Sequence, residues 1–128
     1  MIYLDTSVAL AHLLAEDRVP NESLWREPLI ASRLLQYELW TRIHARRPAA
    51  AVSEAARALL GRVDLVELAA PVLARALEPF PLPVRTLDAL HLATMEFLGS
   101  QGLAIRLATY DERLAKAARK LGVAVFQP

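Results

Sequence analysis

The chain has no cysteine among its 128 residues. It therefore has no disulfide framework, no thiolate zinc site and no cysteine nucleophile. Lysine is nearly absent: of 15 cationic side chains, only Lys116 and Lys120 are not arginine. Arginine suits bidentate contact with phosphate or carboxylate. A GC-rich coding sequence yields the same bias, and the abundance of Ala and Leu agrees with that plainer account. No apolar run approaches the ~18 residues that a membrane-spanning helix needs. No charged segment backed by an apolar stretch precedes the first strand-like run. These absences lead us to expect a soluble cytoplasmic protein without a membrane partner. Glycine and proline, 4 and 8 in number, are too few for a long disordered tail. Charge of one sign is also missing. With 15 cations against 14 anions, a histone-like polycation and an acidic solvating tail are excluded, while a local basic rim is allowed. What is present is apolar, 55% of the chain, enough to fill the core of one domain over residues 1–128.

The pattern alternates strands with helices. Ile2-Tyr3-Leu4 is a short β-prone run ending at Asp5, and Thr6-Ser7 offers capping chemistry for a helix from Val8 to Ala15. A short helix around Ser23 to Arg26 and a strand from Leu29 to Ala31 follow. Ser32 is placed to cap a long helix reaching Arg47. In it Leu35, Leu39 and Ile43 form an apolar stripe, and Pro48 ends it. Residues 49–61 read as a helix, 63–68 as a strand and 71–77 as a helix with proline in its first turn. Residues 78–84 hold three prolines and read as a loop. Thr86 opens a helix to Leu98. A strand at 104–108, a helix at 111–121 ended by Gly122 and a strand at 123–126 complete the chain. Such alternation predicts an α/β fold, with right-handed crossovers and a parallel sheet covered on both faces.

Aspartate is scarce, at positions 5, 17, 64, 88 and 111 only. Asp5 and Asp111 each follow a strand and begin a helix, where an open parallel sheet binds its ligands. If their strands are neighbours, both carboxylates face one crevice. Asp88 lies in the first turn of the helix opened by Thr86, among Leu87, Ala89, Leu90, Leu92 and Ala93. Taken singly, an aspartate at a helix start is more often a cap than a ligand. Asp88 fits that role poorly, because Thr86 holds the cap position and its surroundings are apolar. Glu38 sits in mid-helix beside Trp40, and an i,i+4 pair with Arg42 is its plainer account. Converging carboxylates repel one another unless a cation is shared. Acids without cysteine or paired histidines suit Mg²⁺ or Mn²⁺, one ion or two, and such ions can activate water against a phosphodiester.

Four blocks of the chain resemble the PIN-domain proteins, and most closely the VapC-type toxins of toxin–antitoxin pairs. They are Asp5-Thr6-Ser7 after the first strand, Ser32 through Glu38-Leu39, Thr86 through Thr94 with its Leu87-Asp88-Ala89-Leu90-His91 core, and Ala108-Thr109-Tyr110-Asp111 with Arg113 behind it. The resemblance covers essentially the whole chain. It implies a three-layer α/β/α sandwich around five short parallel strands in the order 3-2-1-4-5. It implies a divalent-metal endoribonuclease of the cytoplasm, a VapB-type antitoxin as partner, RNA as substrate and a homodimer. By position, Asp5 and Asp88 take the metal-ligand roles and Glu38 completes the first site, directly or through water. Asp111 holds a second ion or orients the attacking water. Ser7 and Thr109 support the carboxylates, and His91 has a supporting rather than a catalytic role. Arg85 and Arg113 are the cations placed to hold RNA phosphates. His12 and His44 read as solvated, and Trp25 and Trp40 as core or partner contacts. The stripe of the Leu35 helix with Trp40 is expected to help form an antitoxin groove.

Other acidic α/β folds fit less well. A receiver domain needs a lysine at the end of its last strand, and both lysines lie in the 111–121 helix. A haloacid-dehalogenase-type phosphatase needs a second Asp two residues after Asp5, where Ser7 stands. A PIN fold that binds RNA or protein without cutting is the main rival, and the complete acidic set weighs against it.

Overall fold

In a computed structural model that describes all 128 residues, five parallel strands form one sheet. They are β1 (Ile2–Leu4), β2 (Leu29–Ser32), β3 (Val63–Val66), β4 (Arg106–Ala108) and β5 (Ala124–Phe126), in the order β3-β2-β1-β4-β5. The helices are α1 (Thr6–Leu13), α2 (Leu34–Arg46), α3 (Ala50–Leu60), α4 (Ala70–Ala76), α5 (Thr86–Ser100) and α6 (Glu112–Lys120), with a 3₁₀ turn at Glu22–Arg26. No helix is long and apolar enough to cross a membrane.

Strand alternation divides the interior into two cores. Ile2, Leu4, Leu29, Ala31 and Ala108 pack with α1, α2 and α3 on one face. Tyr3, Ile30 and Leu107 pack with α5 and α6 on the other. The sheet is thus the middle of three layers, and its central strand β1 is wholly buried. A parallel sheet covered on both faces needs apolar residues at every position of its inner strands, which is why Ile2-Tyr3-Leu4 has no polar alternation. Leu35, Leu39 and Ile43 belong to the first core, with Leu35 and Leu39 fully buried. The stripe expected to line an antitoxin groove is therefore spent on the protein's own interior. Only Trp40 stays half-buried at the surface, stacked on His44 and beneath Arg57.

Element ends differ from the sequence expectation where capping decides them. Asp5, not Thr6 or Ser7, is the N-cap of α1. Arg85 occupies the cap position of α5, so Thr86 and Asp88 both lie inside the helix. Ser32 Oγ accepts the Leu34 N–H from within β2, one residue ahead of the cap position. The third strand ends at Val66 and the fourth begins only at Arg106. The loop between α4 and α5 is gathered by Arg75, which binds Glu96, donates to the Glu78 and Pro79 carbonyls and lies over the Phe80 ring.

After α6 the chain turns in a Schellman motif: the Val123 N–H reaches the Ala118 carbonyl and the Gly122 N–H reaches that of Arg119. Gly122 has φ +81° there, and a Cβ would meet no atom within 4 Å. Gly122→Ala should therefore lower stability by about 1–2 kcal/mol through backbone strain alone. Gly99→Ala, in the helical backbone of α5 and equally uncrowded, should raise it by up to about 1 kcal/mol. Urea denaturation of the two variants checks this, and equal effects would contradict it.

Candidate active site at the carboxyl ends of the strands

β1 pairs with β4, with Leu4 opposite Ala108, and the sheet changes direction of growth between them. Ligands of open parallel sheets bind at such a switch point. The turns leaving the two strands lie side by side and are tied through one oxygen. Asp5 Oδ2 accepts hydrogen bonds from Ser7 Oγ at 2.5 Å, Thr109 Oγ1 at 2.7 Å and the Ser7 N–H at 3.3 Å. Both hydroxyls also accept: Ser7 Oγ from the Tyr110 N–H, and Thr109 Oγ1 from the Asp111 N–H. Asp5 is 8% exposed, and its Oδ1 carries no hydrogen bond.

Asp111 caps α6, its Oδ1 accepting the Arg113 and Leu114 N–H groups. The capping account of Asp5 and Asp111 is thus true, yet both also line one cavity of about 470 Å³ together with Glu38, Asp88 and His91. Burial raises the Asp88 pKa above its ordinary 3.8; the Asp111 and Asp5 charges push the same way, and Arg85 opposes them. Arg85 places Nε 3.7 Å from Asp88 Oδ2 and Nη2 4.0 Å from Asp111 Oδ2. That exposed, loose pair is a weak counter-charge. Arg113 lies outside the cavity lining with no ion pair of its own, and Thr109 acts on the cavity through Asp5.

Glu38 does not pair with Arg42. Its Oε1 lies 2.5 Å from His91 Nε2. The His91 Nδ1 lies 2.7 Å from the Tyr3 hydroxyl, whose oxygen accepts the Ser32 N–H at 3.2 Å. An ionised carboxylate only accepts, so Nε2 carries the hydrogen on the Glu38 side. In the neutral ring, Nδ1 then accepts from the phenol. Burial opposes a charged His91, but the Glu38 hydrogen bond and the Glu38, Asp5 and Asp88 charges outweigh it and raise the imidazole pKa. Burial pushes the Tyr3 phenol far above its ordinary value, so it stays a neutral hydroxyl. Tyr3 escaped the sequence reading. The available signal was a single phenol in an otherwise aliphatic strand, two residues before Asp5.

No three of the acidic side chains, with or without His91, converge closely enough as they stand to ligate one ion together. Four like charges, with Arg85 only loosely paired and Arg42 lining the cavity unpaired, have no reason to close up further. Thr6 lines the same cavity, and its buried Oγ1 has no hydrogen-bond partner. The donors facing this cavity are oxygens, apart from the nitrogens of His91 and the arginines.

The sequence model of the PIN domain matches residues 2–120. The chain belongs to the PIN-domain family. Among its relatives in Mycobacterium tuberculosis, Ribonuclease VapC46 is 35% identical over 130 residues, which is 99% of this chain and 97% of that protein. Ribonuclease VapC35 is 35% identical over 134 residues, covering 100% of this chain and 97% of its own length. The crystal structure of M. tuberculosis VapC20, a Sarcin-Ricin loop cleaving toxin, aligns over 100% of both chains with a TM-score of 0.73. At 21% identity that likeness concerns the fold, and it agrees with the 3-2-1-4-5 sheet of this PIN domain.

Two outcomes follow from the geometry of this PIN domain. Thr109→Val removes one donor from Asp5 and the acceptor of the Asp111 N–H, and should cost about 1–3 kcal/mol in urea denaturation. The second concerns pH. A folded Asp88 pKa above 3.8 means the native state binds more protons than the unfolded chain between 3.8 and the raised value. Stability is thus lost as pH rises through that window. Without metal, Asp88→Asn should melt higher than the wild type at neutral pH, and the gain should vanish near pH 3.8 and below. A gain that is independent of pH would remove this account.

Proposed function

We propose that this PIN domain is a divalent-metal-dependent endoribonuclease acting as the toxin of a VapBC-type pair. The observation that carries the reading is the meeting of Asp5, Glu38, Asp88 and Asp111 around one cavity at the switch point of the sheet. The names of the curated relatives support the same activity.

The residues fit a hard cation. Mg²⁺ keeps several waters and needs only one or two carboxylates, so a closed cage is not required. Asp5 and Glu38 each have one oxygen held by hydrogen bonds and one without. Asp88 is a partly buried charge with too little compensation. Asp5 and Asp88 would hold Mg²⁺ or Mn²⁺, Glu38 would complete the site directly or through a water, and Asp111 would hold a second ion or orient water through Oδ2. When bound, the ion supplies the charge that activates water and stabilises the leaving oxygen of a phosphodiester.

The chain's own side chains do the rest. Ser7 and Thr109 fix the Asp5 carboxylate, and His91 fixes that of Glu38. Arg85 and Arg113, at the starts of α5 and α6, are the cations that RNA phosphates would meet. Arg42 joins them, lining the cavity without an ion pair. The family reading also carries a VapB-type antitoxin and a homodimer. The α4–loop–α5 face, with Leu73 and Leu77 exposed, is apolar and chemically suited to protein contact.

Cleavage of an RNA panel containing transfer RNAs and ribosomal-RNA hairpins tests the reading; the target named for VapC20 is a reason to include the latter. Discrete cuts should appear with Mn²⁺ and disappear with EDTA. Asp5→Asn and Asp88→Asn should each slow cutting by about 10²-fold or more, since metal stabilisation amounts to several kcal/mol. Mn²⁺ should also raise the melting temperature of the wild type but not of Asp5→Asn. Absence of both cuts and thermal shift would favour a PIN fold that binds without cutting.

A further inference from the structure

We infer that Tyr3 and His91 are positioning residues for Glu38: they hold its Oε1 in a buried hydrogen-bonded chain and leave Oε2 as the oxygen offered to a divalent cation. The inference rests on the metal-nuclease reading above and goes beyond it in assigning Tyr3 a part.

The chain of contacts crosses the molecule. It starts at the Ser32 backbone N–H at the end of β2 and passes through the Tyr3 phenol on β1. It continues through the His91 ring on α5 and ends on Glu38 of α2. Tyr3 is 0% and His91 2% exposed, so bulk water does not compete for either contact. The two rings meet edge-on, at 84° between planes, which leaves the imidazole little freedom to rotate. The two ends of the chain have fixed roles. The Ser32 N–H can only donate and the Glu38 carboxylate can only accept. The phenol and imidazole between them satisfy both ends.

The same device appears on Asp5. There, too, one oxygen takes all the hydrogen bonds and the other takes none. A glutamate left free must freeze several side-chain torsions when it engages a cation. One already held by its neighbour loses less, and hydrogen-bonded partners of metal-ligating carboxylates commonly change metal affinity about 10–100-fold. The plainer account makes His91–Glu38 a structural clasp between α5 and α2. Non-additivity separates the two accounts. A clasp acts on folding whatever Glu38 ligates, whereas a positioning residue has no effect on affinity once the Glu38 carboxylate is gone.

Mn²⁺ affinity is therefore to be measured by titration calorimetry on the full chain, for His91→Ala, His91→Gln, Tyr3→Phe, Glu38→Gln and the double variants with Glu38→Gln. His91→Ala should weaken binding about 10–100-fold, and Tyr3→Phe should weaken it less. His91→Gln, whose amide can donate to Glu38, should recover most of the loss. Neither His91→Ala nor Tyr3→Phe should weaken binding further in the Glu38→Gln background. Additive losses, or a His91→Gln no better than His91→Ala, would overturn the inference. If His91→Ala does not fold, the cycle of Tyr3→Phe with Glu38→Gln decides alone. Imidazole ¹⁵N spectra of the metal-free protein give a second readout. Tyr3→Phe should shift Nδ1 and Glu38→Gln should shift Nε2, and a ring insensitive to both overturns the chain of contacts. A wild type that binds no Mn²⁺ while its ¹⁵N spectra respond as expected would instead remove the metal reading of the cavity.

Discussion

The pairing of β1 with β4 is the constraint on which the candidate site depends. It sets the turn after Leu4 beside the turn after Ala108, and one carboxylate oxygen of Asp5 then joins them through Ser7 and Thr109. Without that pairing Asp5 and Asp111 would be two separate helix caps. With it, each keeps its capping hydrogen bonds and also faces a common cavity. The two cores support this arrangement from both sides. Ile2 and Leu4 anchor β1 against α1 and α2, and Tyr3 anchors it against α5.

The cavity gathers four carboxylates, and of the two arginines that line it Arg42 pairs with none of them. Arg85 approaches Asp88 and Asp111 only loosely and is largely exposed. His91 answers one carboxylate, Glu38, from within the core. Asp5 is stabilised by neutral hydroxyl donors, which fix its position without cancelling its charge. What results is a set of acids held in place yet still repelling one another. A small cation shared among such a set would relieve that repulsion. The raised Asp88 pKa expresses the same imbalance.

Local signals were the legible ones. The strands, the helices and the two caps at Asp5 and Asp111 follow from short-range periodicity and turn chemistry, and the structure departs from them by a few residues at their ends. Glu38 shows where local reading fails. Arg42 stands one helical turn away in sequence, and an i,i+4 pair is the natural inference. The actual partner, His91, is 53 residues distant and meets Glu38 only after α5 and α2 have packed on opposite faces of the sheet. Trp40 and the Leu35 stripe show the reverse case. Apolar periodicity identifies a buried face, but it does not say whether the protein's own core or a partner buries it. Here the sheet does.

Fold class and candidate acids were readable along the chain. Hydrophobic period and capping residues act within a few positions, and the four motif blocks resemble one family over nearly the whole chain. Packing across the sheet set which oxygen of Asp5 and of Glu38 is held and which is left free. It also decided that Tyr3 takes part, and that the four acids stand near one another without closing into a cage. The physical reason is that hydrogen-bond direction and charge spacing depend on atoms brought together across the sheet from β1, β2, α2 and α5. Neighbours along the chain carry no record of those distances.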